Sequence, residues 1–284
     1  MIRANKTIAI LLATYNGCHF IREQLDSIFS QTNECWHLYV HDDGSKDGTL
    51  EILSEYENRY SDRMTVLKYD SQGSAKNNFL SLLEKVEAPY YMFSDQDDVW
   101  LPNKVEIEYA RMKEAESHEG AKPILVFTDL VVVDVNKNVI NPSFWEYEGI
   151  YPKFVKRFSD LAALNIVTGC TMLFNHKAKE ILGKSYGKAM MHDAWIAMHV
   201  IACGGALCEV DTATMLYRQH GDNTLGARDA STLTWKYRMR NIVYLLKMNY
   251  LHFRQMNDVS SISLIDYIST KIRYRKYIKN VGKG

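Results

Sequence analysis

The chain has 284 residues, of which 46% are hydrophobic and 24% charged, and its formal net charge is zero. These values suit one globular core with room for an appendage, and bulk charge points to no partner. The five cysteines are odd in number and lack CxxC spacing, which excludes a disulfide framework and a finger-like zinc site and implies reduced thiols in a cytosolic compartment.

Residues 8–13 form a continuous apolar run, as expected of a strand buried on both faces. The run is too short for a signal peptide, and no stretch reaches the roughly 20 apolar residues of a membrane span. Phe20, Ile21, Leu25, Ile28 and Phe29 then recur at helical spacing. Residues 38–40 predict strand two, 49–60 a helix, and 65–69 strand three. Phe79, Leu82, Leu83 and Val86 mark another helix, 90–93 predict strand four, and Pro102 opens a helix toward Glu116. This alternation predicts right-handed βαβ units in an open, mostly parallel sheet.

Residues 123–140 look strand-like with a turn at 136–138, whereas the aromatic-rich segment 141–160 predicts an irregular loop. A further strand is expected at 170–174, a helix at 192–202, and two tail helices around 233–253 and 262–278. Charge divides along the same line. From Arg228 onward 12 Lys and Arg face 3 Asp and Glu, a net of +9, while residues 1–227 hold 22 basic and 31 acidic groups, a net of −9.

Three polar motifs follow apolar runs: Thr14-Tyr15-Asn16-Gly17, Asp42-Asp43-Gly44-Ser45 and Asp95-Gln96-Asp97-Asp98. In open α/β sheets, ligands bind at the carboxyl ends of strands, so all three are expected to face one crevice. Residues i and i+2 of an extended segment point the same way, which gives Asp95 and Asp97 a common target. Two carboxylates without soft ligands suit Mg2+ or Mn2+, which in turn binds a diphosphate. Gly44 permits a tight turn, and Asp42 or Asp43 can accept hydrogen bonds from a pyrimidine N–H or a ribose hydroxyl. Asp47 and Thr49 read instead as turn and cap residues.

Together these segments resemble glycosyltransferase family 2, whose members have the GT-A fold. The matching residues are Leu11-Leu12-Ala13-Thr14-Tyr15-Asn16-Gly17, His41-Asp42-Asp43-Gly44-Ser45-Lys46-Asp47-Gly48-Thr49 and Phe93-Ser94-Asp95-Gln96-Asp97-Asp98-Val99-Trp100. The last is close to a form typical of bacterial rhamnosyltransferases. The resemblance implies nucleotide contacts from Thr14, Asn16, Asp42, Asp43, Lys76 and Asp95, and a metal-binding DxD at Asp95 and Asp97. It further implies His220, within Arg218-Gln219-His220-Gly221-Asp222-Asn223, as a metal ligand. Asp193, in His192-Asp193-Ala194-Trp195, is implied as the catalytic base; relatives often carry two acids there, and this chain has His192 at the first position. Thr168-Gly169-Cys170-Thr171 would form an acceptor-side strand edge, and Trp145, Tyr147 and Tyr151 would either stack on a sugar or pack as a satellite core.

The organisation expected is a GT-A domain over 1–226, with a nucleotide half to about 120 and an acceptor half beyond it, followed by a basic helical extension over 227–284. The function implied is inverting transfer of a sugar, L-rhamnose from dTDP-rhamnose or alternatively a hexose from a UDP donor. The acceptor would be a glycan or lipid-linked glycan in cell-surface polysaccharide synthesis. A sugar-binding module that kept the fold is the non-enzymatic alternative, and a pyrophosphorylase is disfavoured because no Gly-rich basic loop follows strand one. Basic residues interleaved with aromatics in the tail suit an anionic membrane surface, which gives a peripheral location on the inner face of the cell membrane. A homodimer contact is the other use of those helices; nucleic acid is not implied, because no binding module accompanies the charge.

Overall fold

The computed structural model describes residues 2–3, 6–183, 189–221, 227 and 240–281. A short strand β1 (Ile2–Arg3) precedes β2 (Ile8–Thr14), all seven of whose residues are buried. Ile8, Ile10 and Leu12 enter one core, and Ala9, Leu11 and Ala13 enter another on the opposite face. Period-two alternation thus serves two apolar layers at once, which is why the run reads as continuous.

The alternation continues through α1 (Ile21–Phe29), β3 (Trp36–Asp42), α2 (Thr49–Arg59), β4 (Met64–Val66) and α3 (Ala75–Lys85). After β5 (Val86–Glu87), β6 (Tyr90–Ser94) and β7 (Val99–Trp100), α4 (Lys104–Glu119) closes the first half. Pro102 lies in the turn ahead of α4, and Asn103 takes the N-cap position. The second half holds β8 (Ile124–Val133), β9 (Val139–Asn141), α5 (Phe144–Glu148), β10 (Met172–Asn175), α6 (His176–Glu180), α7 (His192–Ala202) and β11 (Ala206–Arg218). Helices α8 (Ile242–Val259) and α9 (Leu264–Val281) follow; the part of the expected tail helix before residue 240 lies outside the described residues.

The main sheet runs β4-β3-β2-β6-β10-β8-β11-β7, with β9 on β8, while β1 and β5 pair separately. Strands β4, β3, β2 and β6 are parallel, as the alternation implies. The acceptor half departs from that pattern. β10 is antiparallel to both β6 and β8, and β11 is parallel to β8 but antiparallel to β7. The fold is a mixed α/β sheet flanked by helices.

Two expectations for the middle of the chain change. Segment 141–160 contains α5 and a 3-10 turn at Pro152–Phe154, not one irregular loop. Trp145 is buried against Phe127, their ring centres 5.9 Å apart, so it belongs to the core and offers no sugar platform. Tyr151 packs on Tyr277, and its amide donates to the Tyr274 hydroxyl at 3.2 Å.

Register aligns the strand ends. Thr14 pairs with Asp42 across β2 and β3, and Leu12 with Ser94 across β2 and β6. β7 pairs Trp100 with Met215 and Val99 with Leu216 of β11, which returns Arg218 to the side of Asp97 and Asp98.

Candidate active site

The first two motifs form one interlocked pair of loops. The Thr14 hydroxyl donates to Asp42 Oδ2 at 2.8 Å, and the Gly44 and Ser45 amides donate to Asp42 Oδ1 at 3.0 and 2.7 Å. The Asn16 amide donates to Ser45 Oγ at 2.7 Å, and Asn16 Oδ1 accepts from the Lys46 amide at 2.9 Å. Two backbone positions make this geometry possible: Asn16 at φ 47° and Gly44 at φ 93°. Left-handed backbone suits Asn and Gly and strains other residues. Asp47 accepts from the Cys18 and Thr49 amides at 3.0 Å each, the structural role its position implied.

A cleft of about 930 Å³ opens above these loops. Thr14, Asn16, Asp43, Asp95, Asp97 and His220 are among its lining residues, whereas Asp42 and Lys76 are not. Asp42 is half-buried, with both oxygens engaged by the loop. Asp43 accepts from the Ser71 hydroxyl at 2.9 Å and from the Gln72 amide. Lys76 Nζ donates to the Ala189 carbonyl at 2.8 Å, which ties α3 to the segment ahead of α7.

The third motif is clamped to the first by Gln96. Its side chain accepts from the Tyr15 amide at 2.9 Å and donates to the Tyr15 carbonyl at 3.0 Å. A Cβ on Gly17 would stand 2.3 Å from Gln96 Oε1, so a larger residue there would displace the Gln96 side chain from its clamp on Tyr15.

Across the cleft, His220 Nε2 and Asp97 Oδ2 meet at 2.8 Å. Arg218 braces Asp97: its Nε donates to the Asp97 carbonyl at 2.9 Å, one Nη to Val135 O at 2.8 Å, and the other to Glu23 at 2.5 Å. Asp95 is pushed up from the ordinary carboxylate range by burial, then by the charges of Asp97 and Asp193. Asp98 is completely buried, and the same causes, burial followed by Asp97 and Asp95, raise it well above that range. One Asp98 oxygen accepts weakly from the Arg218 amide at 3.3 Å; the other has no hydrogen-bond partner among the described residues. The Cys170 thiol completes a group with Asp95 and Asp98 whose ligand atoms lie within 4.8 Å of one another.

Asp95 and Asp97 with His220, rather than with the soft Cys170 thiol, make a donor set that would suit a divalent cation. Carboxylates with one imidazole suit Mn2+ or Mg2+, and crowded, buried carboxylates with an unpartnered oxygen lack a compensating positive charge. Asp95, Asp97 and His220 are the residues that would hold it.

Asp193 lies in the first turn of α7 and is buried. Burial pushes its carboxyl up to about 6, against hydrogen bonds from the Ala194 amide at 2.6 Å and Asn165 Nδ2 at 3.4 Å. A carboxylate poised there can take a proton near neutral pH. Asp193 is not among the residues lining the cleft, and its charge is one of the causes that raise the Asp95 carboxyl.

His192, beside it, faces inward. Its ring packs 4.6 Å from Phe79 and 4.9 Å from Phe93, and neither nitrogen has a hydrogen-bond partner among the described residues. Burial lowers it to about 3, so the imidazole is neutral. A Cβ on Gly169 would stand 2.4 Å from His192 Nε2, which explains a glycine there; Gly169–Thr171 form a 3-10 turn ahead of β10, not the strand edge expected over 168–171.

Sequence reasoning missed the bracing by Gln96 and Arg218 and the partnership of Cys170 with the acidic group. It also missed His41, stacked on Tyr69 at 3.5 Å and bonded to Asn78 at 2.8 Å under the cleft. All four lie inside the motifs, but their partners could not be read from them, because every contact is long-range. Asp222 and Asn223 lie outside the described residues.

Comparison with known proteins names the class. The family model Glycosyl transferase family 2 matches residues 9–182, and the chain belongs to that family. A dTDP-rhamnosyl transferase, RfbG of Shigella flexneri, is 29% identical over 237 residues, covering 76% of this chain and 74% of its own. Among solved structures, mannosyltransferase PcManGT from Pyrobaculum calidifontis, in complex with GDP-Man and Mn2+, superposes with a TM-score of 0.61 at 15% identity. It covers 97% of this chain and 70% of its own. S. aureus TarS in complex with UDP gives 0.56 at 16% identity over 75% of this chain, which spans 60% of that one. The fold is therefore that of the GT-A glycosyltransferases, and the protein is a glycosyltransferase.

Proposed function

We propose that this protein is an inverting, metal-dependent transferase that moves L-rhamnose from dTDP-rhamnose to a glycan or lipid-linked glycan acceptor at the inner face of the cell membrane. The observation that carries the reading is the meeting of Asp97 and His220 at 2.8 Å, 123 positions apart, at the mouth of a cleft shared with Asp95. Rhamnose is favoured by the likeness to the Shigella dTDP-rhamnosyl transferase. A UDP-hexose donor is the second reading, favoured by the fold shared with the UDP complex of TarS.

In this account Thr14, Asn16, Asp43 and Asp95 contact the nucleotide. Asp42 and Lys76 act through the segments they hold: Asp42 keeps the nucleotide loop closed, and Lys76 fixes the chain ahead of Asp193. Bound at Asp95, Asp97 and His220, Mn2+ or Mg2+ supplies positive charge for the departing diphosphate. Asp193 accepts the proton of the acceptor hydroxyl as that oxygen attacks the anomeric carbon from the face opposite the leaving group. The domain limits proposed remain 1–226 for the transferase and 227–284 for the extension.

A thermal-shift screen of nucleotide sugars with Mn2+ and Mg2+ tests the donor, since a ligand at 100 times its Kd adds about 2.7 kcal/mol of stability. dTDP-rhamnose with Mn2+ should give the largest rise; a larger rise with a UDP-hexose would reverse the donor assignment. Metal-dependent donor hydrolysis without acceptor separates a transferase from a sugar-binding module, which would bind and release the donor intact.

A further inference from the structure

The two C-terminal helices have unlike sides. The inner side is fastened to the body. Met256, Tyr267 and Tyr274 are buried, the Tyr274 hydroxyl donates to Gly149 O at 2.6 Å, and Arg273 pairs with Asp160. Gln255 accepts from the Met190 amide at 2.6 Å, two residues before His192.

The outer side of α9 is different. Ile265, Ile268, Ile272, Lys276 and Lys279 are all exposed and follow one another at steps of three and four, so they form a single stripe that runs from apolar to basic. Ile265 is 80% exposed and Ile272 50%. α8 repeats the sequence of properties, with Val243, 78% exposed, then Leu246 and Tyr250, then exposed Arg254. Scattered apolar residues need no explanation, whereas contiguous stripes on neighbouring helices do. Residues 240–281 carry eight Lys and Arg against two Asp, a net of +6.

We propose that this outer side is a docking surface for an anionic bilayer, on which the helices lie without crossing it. The proposal deepens the lipid-linked acceptor reading by naming the surface that delivers the cleft to such an acceptor. No helix among the described residues is long and apolar enough to span a membrane. The isoleucines enter the boundary between headgroups and acyl chains, and Lys276 and Lys279 meet the lipid phosphates. A second copy of the chain is the competing occupant. A two-fold dimer sets the same patch against itself, so the exposed Arg254, Lys276 and Lys279 would face their own duplicates, and charge argues against it.

The test is flotation of the full chain with phosphatidylglycerol-containing vesicles and with pure phosphatidylcholine vesicles. The wild type should float with the first and not the second. Ile268→Ser with Ile272→Ser should abolish flotation, and Lys276→Gln with Lys279→Gln should lower partitioning roughly 25-fold, about fivefold for each charge. Both variants should keep the wild-type Tm, because their side chains are exposed, and the wild-type rate of donor hydrolysis without vesicles. Failure of the wild type to float with phosphatidylglycerol vesicles overturns the proposal. So does a wild-type dimer that the isoleucine variant converts to monomer in light scattering. A chain that floats but hydrolyses no donor keeps the docking surface and refutes the transferase reading instead.

Discussion

The nucleotide side and the reaction side of the cleft are built on opposite principles. Loops 14–18 and 42–49 are held by a closed net of hydrogen bonds in which Asp42 and Asp47 each accept at least three. On the other side, buried polar groups have no hydrogen-bond partner among the described residues: Asp98 Oδ2, both nitrogens of His192 and Trp195 Nε1. The raised carboxyls of Asp95, Asp98 and Asp193 lie on that side. The difference teaches where each half gets its precision. The nucleotide loops are preorganised by bonds within the protein, whereas the reaction side is held by packing and keeps polar capacity for what binds there.

The sharpest probe of that contrast is Asp193→Asn. Loss of the base should lower kcat by about 10²–10⁴-fold while donor binding persists. Its raised pKa also fixes the signs with pH. Activity should fall as pH drops below about 6, where the base takes up a proton. The folded form holds that proton more tightly than the unfolded chain, so this group costs stability above pH 6, and the cost fades as pH falls toward the ordinary carboxylate value. Asn should therefore match or exceed the wild-type Tm at pH 8; a large drop in Tm would make Asp193 structural instead.

Asp42→Ala should lower stability by about 3 kcal/mol in urea titration, because it leaves several loop donors without their charged acceptor. An unchanged midpoint would mean that the loop net is not what holds the nucleotide side. The smallest effect is expected at His192. Replacing an unpartnered buried imidazole by leucine should leave stability unchanged or raise it by about 1 kcal/mol. A loss of several kcal/mol would show that the ring has a partner in solution and would blur the contrast between the two sides.

Legibility in the sequence divides along the same line. The parallel half could be read because each strand is a short apolar run and each loop motif sits at its end: residues 8–13 and 90–93 lie within β2 and β6. β11 could not, because its register shifts at Val210 and Ala213 break the alternation along Ala206–Arg218. Position 193 could be singled out by family resemblance, but the burial of its neighbour His192 could not, since a histidine ahead of a helix looks the same whether its ring faces water or Phe79. Asp95 and Asp97 were legible as a spacing. Gln96 between them was not, because its role depends on Tyr15, 81 positions away.

The central claim is that Asp95, Asp97 and His220 hold the cation that binds the donor diphosphate. Calorimetric titration of dTDP into the wild type and Asp97→Ala, each with and without Mn2+, tests it most directly. The account predicts that Mn2+ tightens wild-type binding at least about tenfold, roughly 1.4 kcal/mol, and leaves the variant unaffected. Equal enhancement by Mn2+ in both proteins, or none in the wild type, would contradict it.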